Sequence, residues 1–156
     1  MFAYRGRLLV SVVILNWNGG DYLRRCVESV LETDYPRNLI EVIVVDNGST
    51  DGSAKSIKKM YPQVKLIENK KNLGFCVGNN VGINKASGDL IILLNNDTIV
   101  DNGWIREILK KAKDPKVGIV GCRLYFPQTK VIQVIGFRSK FLGYMEAIGS
   151  GEEDNG

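Results

Sequence analysis

The chain contains no histidine. That excludes imidazole acid–base catalysis and histidine metal ligation within it, and leaves carboxylates as the main candidates for both tasks. Cysteine is scarce: Cys26, Cys76 and Cys122 are odd in number and far apart, with no metal-ligand spacing. They read as buried or half-buried free thiols in a reducing compartment. No apolar run approaches the roughly 18 residues of a membrane helix. Arg5 and Arg7 ahead of Leu8 to Leu15 carry a trace of a secretory leader. However, Ser11 interrupts that run, Asn16-Trp17-Asn18 ends it, and no small-residue cleavage site follows. A cytoplasmic location is therefore expected. The first apolar stretch is followed neither by G-x-G-x-x-G nor by a P-loop, which argues against a dinucleotide fold and a P-loop enzyme. Internal repeats and low-complexity segments are absent as well.

What is present is the composition of an ordinary globular protein: 156 residues, 44% hydrophobic and 24% charged. One domain spanning 1–156 is expected, large enough to bury roughly 68–70% of its unfolded surface. The net charge of +4 arises from 21 basic and 17 acidic side chains. Lysines gather at Lys55, Lys58, Lys59, Lys65, Lys70 and Lys71, and again at Lys110, Lys111, Lys113 and Lys116. Such clusters can attract nucleic acid or an anionic membrane. Without interleaved aromatics they lack what a single-strand binder needs, and solvated helix faces are the simpler reading. No nucleic-acid partner is expected, and any membrane association would be peripheral.

The chain is organised around Asp89-Leu90-Ile91-Ile92-Leu93-Leu94-Asn95-Asn96-Asp97-Thr98. An uninterrupted apolar run entered from Ser87-Gly88 predicts a central strand, Leu90 to Leu94, buried on both faces as in a parallel sheet. Leu8 to Leu15 predicts the first strand and Ile40 to Val45 the second, with Val64 to Ile67 a shorter third. Between them, Leu23, Cys26, Val27, Val30 and Leu31 have helical spacing with Asp21 placed to cap. Ala54, Ile57 and Met60 point inward from a short helix, and Gly74 to Asn84 reads as a loosely helical turn close to the sheet. Beyond the central strand, Asp101 or Asn102 caps a helix carrying Trp104, Ile105, Ile108, Leu109 and Ala112 on one face. Val117 to Val120, Arg123 to Phe126 and Val131 to Ile135 are further strand candidates. Residues 136–156 turn glycine-rich and acidic without a core pattern. Strands alternating with helices at this spacing predict βαβ units on a mostly parallel sheet.

Three strands end in polar residues: Asn16 with Asn18, Asp46 with Ser49, and Asn95 with Asp97. Ligands of open α/β sheets bind beyond the carboxyl ends of the strands, so this coincidence predicts a site, although Asn and Asp are also common in plain turns. Asp97 could hold a divalent cation through oxygen, and the cation a diphosphate. Lys71 could assist with phosphate charge. Gly74, Gly78 and Gly82 would let backbone approach a ligand.

These stretches carry a resemblance. Val10-Ser11-Val12-Val13-Ile14-Leu15-Asn16-Trp17-Asn18-Gly19 resembles the opening strand of family 2 glycosyltransferases. Val44 to Ser53, with Asp46-Asn47-Gly48-Ser49 at its centre, is similar to that family's second motif. Asn72-Leu73-Gly74-Phe75 through Asn79-Asn80-Val81-Gly82-Ile83 resembles the third, and Asn95-Asn96-Asp97 occupies the place of its Asp-x-Asp motif. The wording is most similar to the rhamnosyltransferase-like branch, and the motifs cover residues 8–126 in family order.

The resemblance implies a GT-A fold, a Rossmann-like α/β sheet flanked by helices, and a UDP- or dTDP-sugar donor. By motif position, Leu15, Asn16 and Asn18 would line the base pocket, with Asp46 accepting from the pyrimidine ring beside Ser49. Asn72, Asn79 and Asn80 would border the nucleotide, Asn95 would face the ribose, and Asp97 would bind Mg²⁺ or Mn²⁺. The acceptor would be a saccharide or a lipid-linked hydroxyl compound in polysaccharide biosynthesis, at the cytoplasmic face of a membrane. Two departures stand out. Asn95 replaces the motif's first aspartate. Furthermore, the general base that inverting members take from a later acidic motif is expected beyond Gly156, so the domain reads as C-terminally truncated. Glu152, Glu153 and Asp154 read as a solvated acidic tail rather than that base. A non-catalytic nucleotide-sugar-binding module partnering another chain is the alternative. A nucleotidyltransferase is a third reading, but Asn16 to Asp21 has no lysine for its glycine- and lysine-rich loop.

Overall fold

A computed structural model of the chain describes residues 8–139 and 145–154; Arg5, Arg7, Asn155 and Gly156 lie outside them. β1 (Val10–Asn16) is followed by α1 (Gly20–Leu31), β2 (Ile40–Asp46), α2 (Ser53–Met60), β3 (Lys65–Glu68), α3 (Phe75–Ile83) and β4 (Leu90–Asn95). Each strand is separated from the next by a helix, and the resulting four-stranded sheet is parallel throughout, in the order β3-β2-β1-β4. This is the predicted architecture, and the crossover helices are what allow it: neighbouring strands can lie parallel only when a long connection, here a helix, carries the chain back to the start of the sheet.

β1 is central, and Val10, Val12, Val13 and Ile14 are fully buried. Register places Asn16 opposite Asp46 on β2, and Leu15 opposite Asn95 on β4. The polar strand ends therefore lie side by side by construction. From α1, Leu23, Cys26, Val27 and Val30 are buried, as its spacing predicted. The predicted cap differs. Asp21 sits exposed in the first turn and pairs with Arg24 at 2.7 Å; the Gly20 N–H donates instead to Asp51 Oδ2, 2.9 Å away on the loop before α2.

On the opposite sheet face α3 is a regular helix rather than a loose turn. A Cβ on Gly78 would come within 2.5 Å of Leu15 Cδ1, and one on Gly82 within 2.3 Å of Val13 Cγ1. These two glycines bring the helix onto β1, and serve packing rather than ligand approach. Because α3 lies across β1 and β2, it leaves the same face of β4 uncovered. Ile91 and Leu93 are 39% and 48% exposed. The expectation of a central strand buried on both faces is thus corrected: among the described residues β4 is an edge strand, paired with β1 alone, and apolar on its exposed face as on its covered one. Met60, expected inward, is also exposed, while Ala54 and Ile57 are buried.

Ser11, the polar interruption of β1, is fully buried. Its hydroxyl donates to Glu41 Oε2 at 2.5 Å and accepts from the Gly88 N–H at 2.9 Å, tying β1 to β2 and to the entry of β4. Burial alone would push the Glu41 carboxyl up, but the Ser11 and Ser87 donors and the nearby Lys65 outweigh it and hold it below its ordinary value. A carboxyl lowered by folding stabilises above its unfolded pKa and loses that contribution as pH falls through the folded one. On acidification below about pH 4.5, the parent should therefore lose melting temperature more steeply than Glu41→Gln. Parallel melting curves between pH 7 and 3 would contradict this.

The chain forms two compact units, dividing after Glu107 within α4 (Trp104–Ala112). Asp101 Oδ1 accepts the Gly103 N–H just before α4, while Asn102 Oδ1 accepts the Asp34 N–H, so the two candidate caps have separate tasks. In the second unit β5 (Leu124–Tyr125) pairs antiparallel with β6 (Ile132–Val134), and β7 (Gly136–Ser139) with β8 (Met145–Ile148). Residues 117–120 form no strand, and Ile119 is 92% exposed. The acidic segment keeps Glu152 and Glu153 exposed, as expected of solvated acids, but its main chain is paired rather than free. Val131 bridges Glu153, the Ile132 N–H donates to the Glu152 carbonyl at 2.8 Å, and Asp154 accepts from Arg123 at 2.5 Å and from the Tyr125 hydroxyl. Alternating apolar residues were too sparse there to reveal pairing that depends on main-chain bonds. Among the described residues, no helix is long and apolar enough to cross a membrane.

Candidate functional site

At the carboxyl end of the sheet, Asn16 is fully buried and Asp46 is 5% exposed. Asn16 Nδ2 donates toward Asp46 Oδ1 (2.9 Å), Ser53 Oγ (3.0 Å) and Ser49 Oγ (3.1 Å). Asp46 Oδ2 accepts the Ser49 N–H at 3.0 Å. Both oxygens of Asp46 are thus fixed by the protein while each retains acceptor capacity. Asn18, at φ 52°, accepts the Thr50 N–H and donates its own N–H to Ser49 Oγ, fastening the loop after β1 to the loop after β2. Leu15 is half-buried beneath α3.

The third motif is arranged less simply. Asn72 Oδ1 accepts from Asn47 Nδ2 (2.8 Å) and from the Gly74 N–H (2.8 Å). Asn79 is buried and donates to the Phe75 carbonyl within its own helix, whereas its neighbour Asn80 is exposed. Successive helical residues diverge by about 100°, so these two amides do not converge. Asn95 and Asp97 are exposed at the end of β4, and Asn96 between them donates to Asn16 Oδ1 at 3.0 Å.

Asn47 and Asp51 are structural members of the site that motif reading passed over. Asn47 is 2% exposed and uses both ends of its amide. Nδ2 reaches Asn72 and the Gly74 carbonyl, and Oδ1 receives Asn69 Nδ2 and the Leu73 N–H. It holds the loop bearing Lys70 and Lys71 against the end of β2. Gly48 completes that contact: at φ +77°, a Cβ there would stand 2.9 Å from the Lys71 Cα. Asp51 accepts from Ser53 N–H and Oγ and from Gly20 N–H. Burial opposes its charge, but those donors outweigh it and hold the carboxyl below its usual range. An acidic residue two positions before a helix is the signal that could have found it.

Of the thiols, Cys26 is buried, with burial and the Asp97 charge pushing it up to about 12, so it is an inert side chain rather than a nucleophile. Cys76 and Cys122 are exposed, contrary to the expectation of buried or half-buried thiols. α3 presents Gly78, Asn79 and Gly82 to the sheet and Cys76 to solvent. Burial pushes the Cys122 thiol up, so maleimide should label Cys76 of the native protein first, Cys122 more slowly and Cys26 only on unfolding; rapid native labelling of Cys26, read by peptide mass, would refute this.

Among the described residues, no three acidic or cysteine side chains gather as a metal cage. What Asp97 and Asn95 offer is a pair of exposed hard oxygen donors. That set fits Mg²⁺ or Mn²⁺ arriving with most of its ligands supplied by diphosphate and water.

The family model for glycosyl transferase family 2 matches residues 11–144. An O-antigen biosynthesis protein of Myxococcus xanthus is 34% identical over 134 residues, which cover 83% of this chain and 10% of that protein. An uncharacterised glycosyltransferase of Haemophilus influenzae is 30% identical over 85% of this chain and 42% of its own length. A mannosyltransferase of Pyrobaculum calidifontis, solved with GDP-Man and Mn²⁺, superposes with a TM-score of 0.68 at 26% identity, covering 73% of this chain and 35% of that one. TarS of S. aureus, solved with UDP-GlcNAc, has the same fold, with a TM-score of 0.63 over 78% of this chain and 38% of that one. The chain thus spans less than half the length of each of these relatives. The predicted GT-A fold is the one observed, and with its four motifs at the ends and loops of one parallel sheet, this chain belongs to glycosyl transferase family 2.

Proposed function

We propose that this chain is the donor-binding part of an inverting glycosyltransferase that passes a sugar from a UDP- or dTDP-sugar to an acceptor hydroxyl. The observation that carries this reading is strand register, which sets Asn16 beside Asp46 and Leu15 beside Asn95 at the carboxyl end of one sheet, where α/β sheets bind ligands. Leu15, Asn18, Asp46 and Ser49 line the base pocket, with Asn16 fixing Asp46 from beneath, and Asn72 and Asn80 border it; Asn79, bonded within its own helix, supports that border from behind. Asn95 faces the ribose, and Asp97 holds Mg²⁺ or Mn²⁺. The cation stabilises the charge of the departing nucleoside diphosphate. Asp46, fixed by Asn16 and Ser49, accepts from the base, and Lys71 lies on the loop nearest the phosphates. The acceptor's base is supplied by chain outside these 156 residues. The acceptor is a saccharide or lipid-linked hydroxyl in polysaccharide assembly at the cytoplasmic membrane face. The O-antigen biosynthesis relative supports the polysaccharide part of that assignment.

The test is a melting panel with UDP, dTDP and GDP, each with Mg²⁺ or Mn²⁺, followed by a transfer assay. At a hundredfold excess over its dissociation constant, UDP should stabilise by about 2.7 kcal/mol, a shift of roughly 5–10 °C for a domain of this size. GDP should shift it least; a GDP-selective response would instead assign the guanine donor of the P. calidifontis enzyme. Mn²⁺ alone should bind negligibly, because Asp97 is the sole carboxylate of its segment, and UDP and Mn²⁺ should enhance one another. No shift with any nucleotide would refute the reading.

A further inference from the structure

The buried Asn16 amide has an orientation that chemistry dictates. Asp46 presents only acceptors, so Asn16 must turn Nδ2 toward it, and the 2.9 Å contact is that bond. Asn16 Oδ1 then necessarily faces the other way, into a fully buried environment, and requires a donor there. That donor is Asn96 Nδ2, at 3.0 Å. An acceptor at position 96 would oppose Oδ1, and flipping Asn16 to suit it would set Oδ1 against the Asp46 carboxylate. Gly19 supplies an independent observation. A Cβ there would lie 2.4 Å from Asn16 Oδ1 and 2.4 Å from Asn96 Nδ2, the two ends of this one bond. Gly19 has φ −77°, open to any residue, so its lack of a side chain answers to space alone.

We propose that Asn96 is a positioning residue, acting as the obligatory hydrogen-bond donor that locks Asn16 and, through it, Asp46 in the nucleotide site, and that Gly19 leaves the room for this lock. The inference rests on the nucleotide-site reading above and adds a constraint to it: the residue between Asn95 and Asp97 must donate. The link also joins the end of β4 to the end of β2 across β1, so the proposed ribose and metal side is set against the proposed base side by one amide pair.

The decisive variants are Asn96→Asp, Asn96→Ala and Gly19→Ala in the full 156-residue chain, read by UDP titration with Mg²⁺ and by the ¹⁵N side-chain amide signals of Asn16. At pH 8, Asn96→Asp should bind UDP about tenfold more weakly than the parent, the scale of one opposed or orphaned buried bond. Asn96→Ala and Gly19→Ala should lose less. The Asn16 amide signals should move in Asn96→Asp at pH 8. UDP affinity for Asn96→Asp no weaker than for Asn96→Ala, or unmoved Asn16 signals, would overturn the inference while leaving the nucleotide site standing. Absence of UDP binding by the parent would overturn the functional reading, and with it the binding role of Asn96; the amide signals would then still report whether the lock exists.

Discussion

Asp46→Ala should weaken UDP and dTDP binding by about 10- to 150-fold, the 1.5–3 kcal/mol that a hydrogen bond to a charged group is worth. Asp46 is nearly buried, its Oδ1 takes the Asn16 amide and its Oδ2 the Ser49 N–H, so its geometry is set before a ligand arrives. That preorganisation is why a single carboxylate can carry so much of the recognition: no side-chain freedom has to be lost on binding. Removing it takes one acceptor from Asn16 Nδ2, which keeps Ser49 and Ser53. The stability loss should therefore be modest beside the affinity loss. Calorimetric titration with a parallel melt separates the two. Unchanged affinity in a folded Asp46→Ala protein would remove Asp46 from the site.

The second large effect is expected at a residue with no assigned ligand contact. Asn47→Ala should cost about 2–4 kcal/mol of stability, because it strands the Gly74 carbonyl and the Leu73 N–H in a part-buried loop and each such group costs ~1–3 kcal/mol. At 2–4 °C per kcal/mol for a domain of this size, the melting point should fall by roughly 5–15 °C. Asn47→Asp should do no better. A carboxylate keeps the bonds from Asn69 and Leu73 but turns its second oxygen on Asn72 Oδ1 and the Gly74 carbonyl, both acceptors. Since this loop carries Lys70 and Lys71, UDP affinity should drop in both variants. A melting point within 2 °C of the parent for Asn47→Ala would show that water replaces the lost partners.

The β-strands of the first unit and its helices α1 and α2 were legible because their signals are local. An apolar run that stops at Asn16, at Asp46 or at Asn95 marks a strand end, and Leu23, Cys26, Val27 and Val30 mark a helix face. Their motif spacing pointed to the same family that the comparisons show. The second unit was poorly legible for the complementary reason. Its paired strands are short and largely exposed, with Phe137 and Met145 each 62% exposed, so no burial period was imprinted on residues 136–139 and 145–148. The acidic segment looked solvated by composition, although Asp154 is paired with Arg123, 31 positions earlier.

By itself, then, the sequence determined the alternation of strands and helices, the parallel sheet that follows from it, and the set of polar residues gathered at one edge. Tertiary structure alone decided what those residues face. Asn16 turns inward to Asp46 and Asn96 rather than outward, Asn79 bonds its own helix, and Asp51 takes over the cap expected of Asp21. It also decided that β4, paired with β1 alone among the described residues, lies at the edge of the sheet, and that α3 is drawn over β1 by Gly78 and Gly82. The reason is one of range. Hydrophobic period and strand termination are written within a few neighbouring residues, whereas a buried amide's partner is set by register between strands that lie up to 80 residues apart.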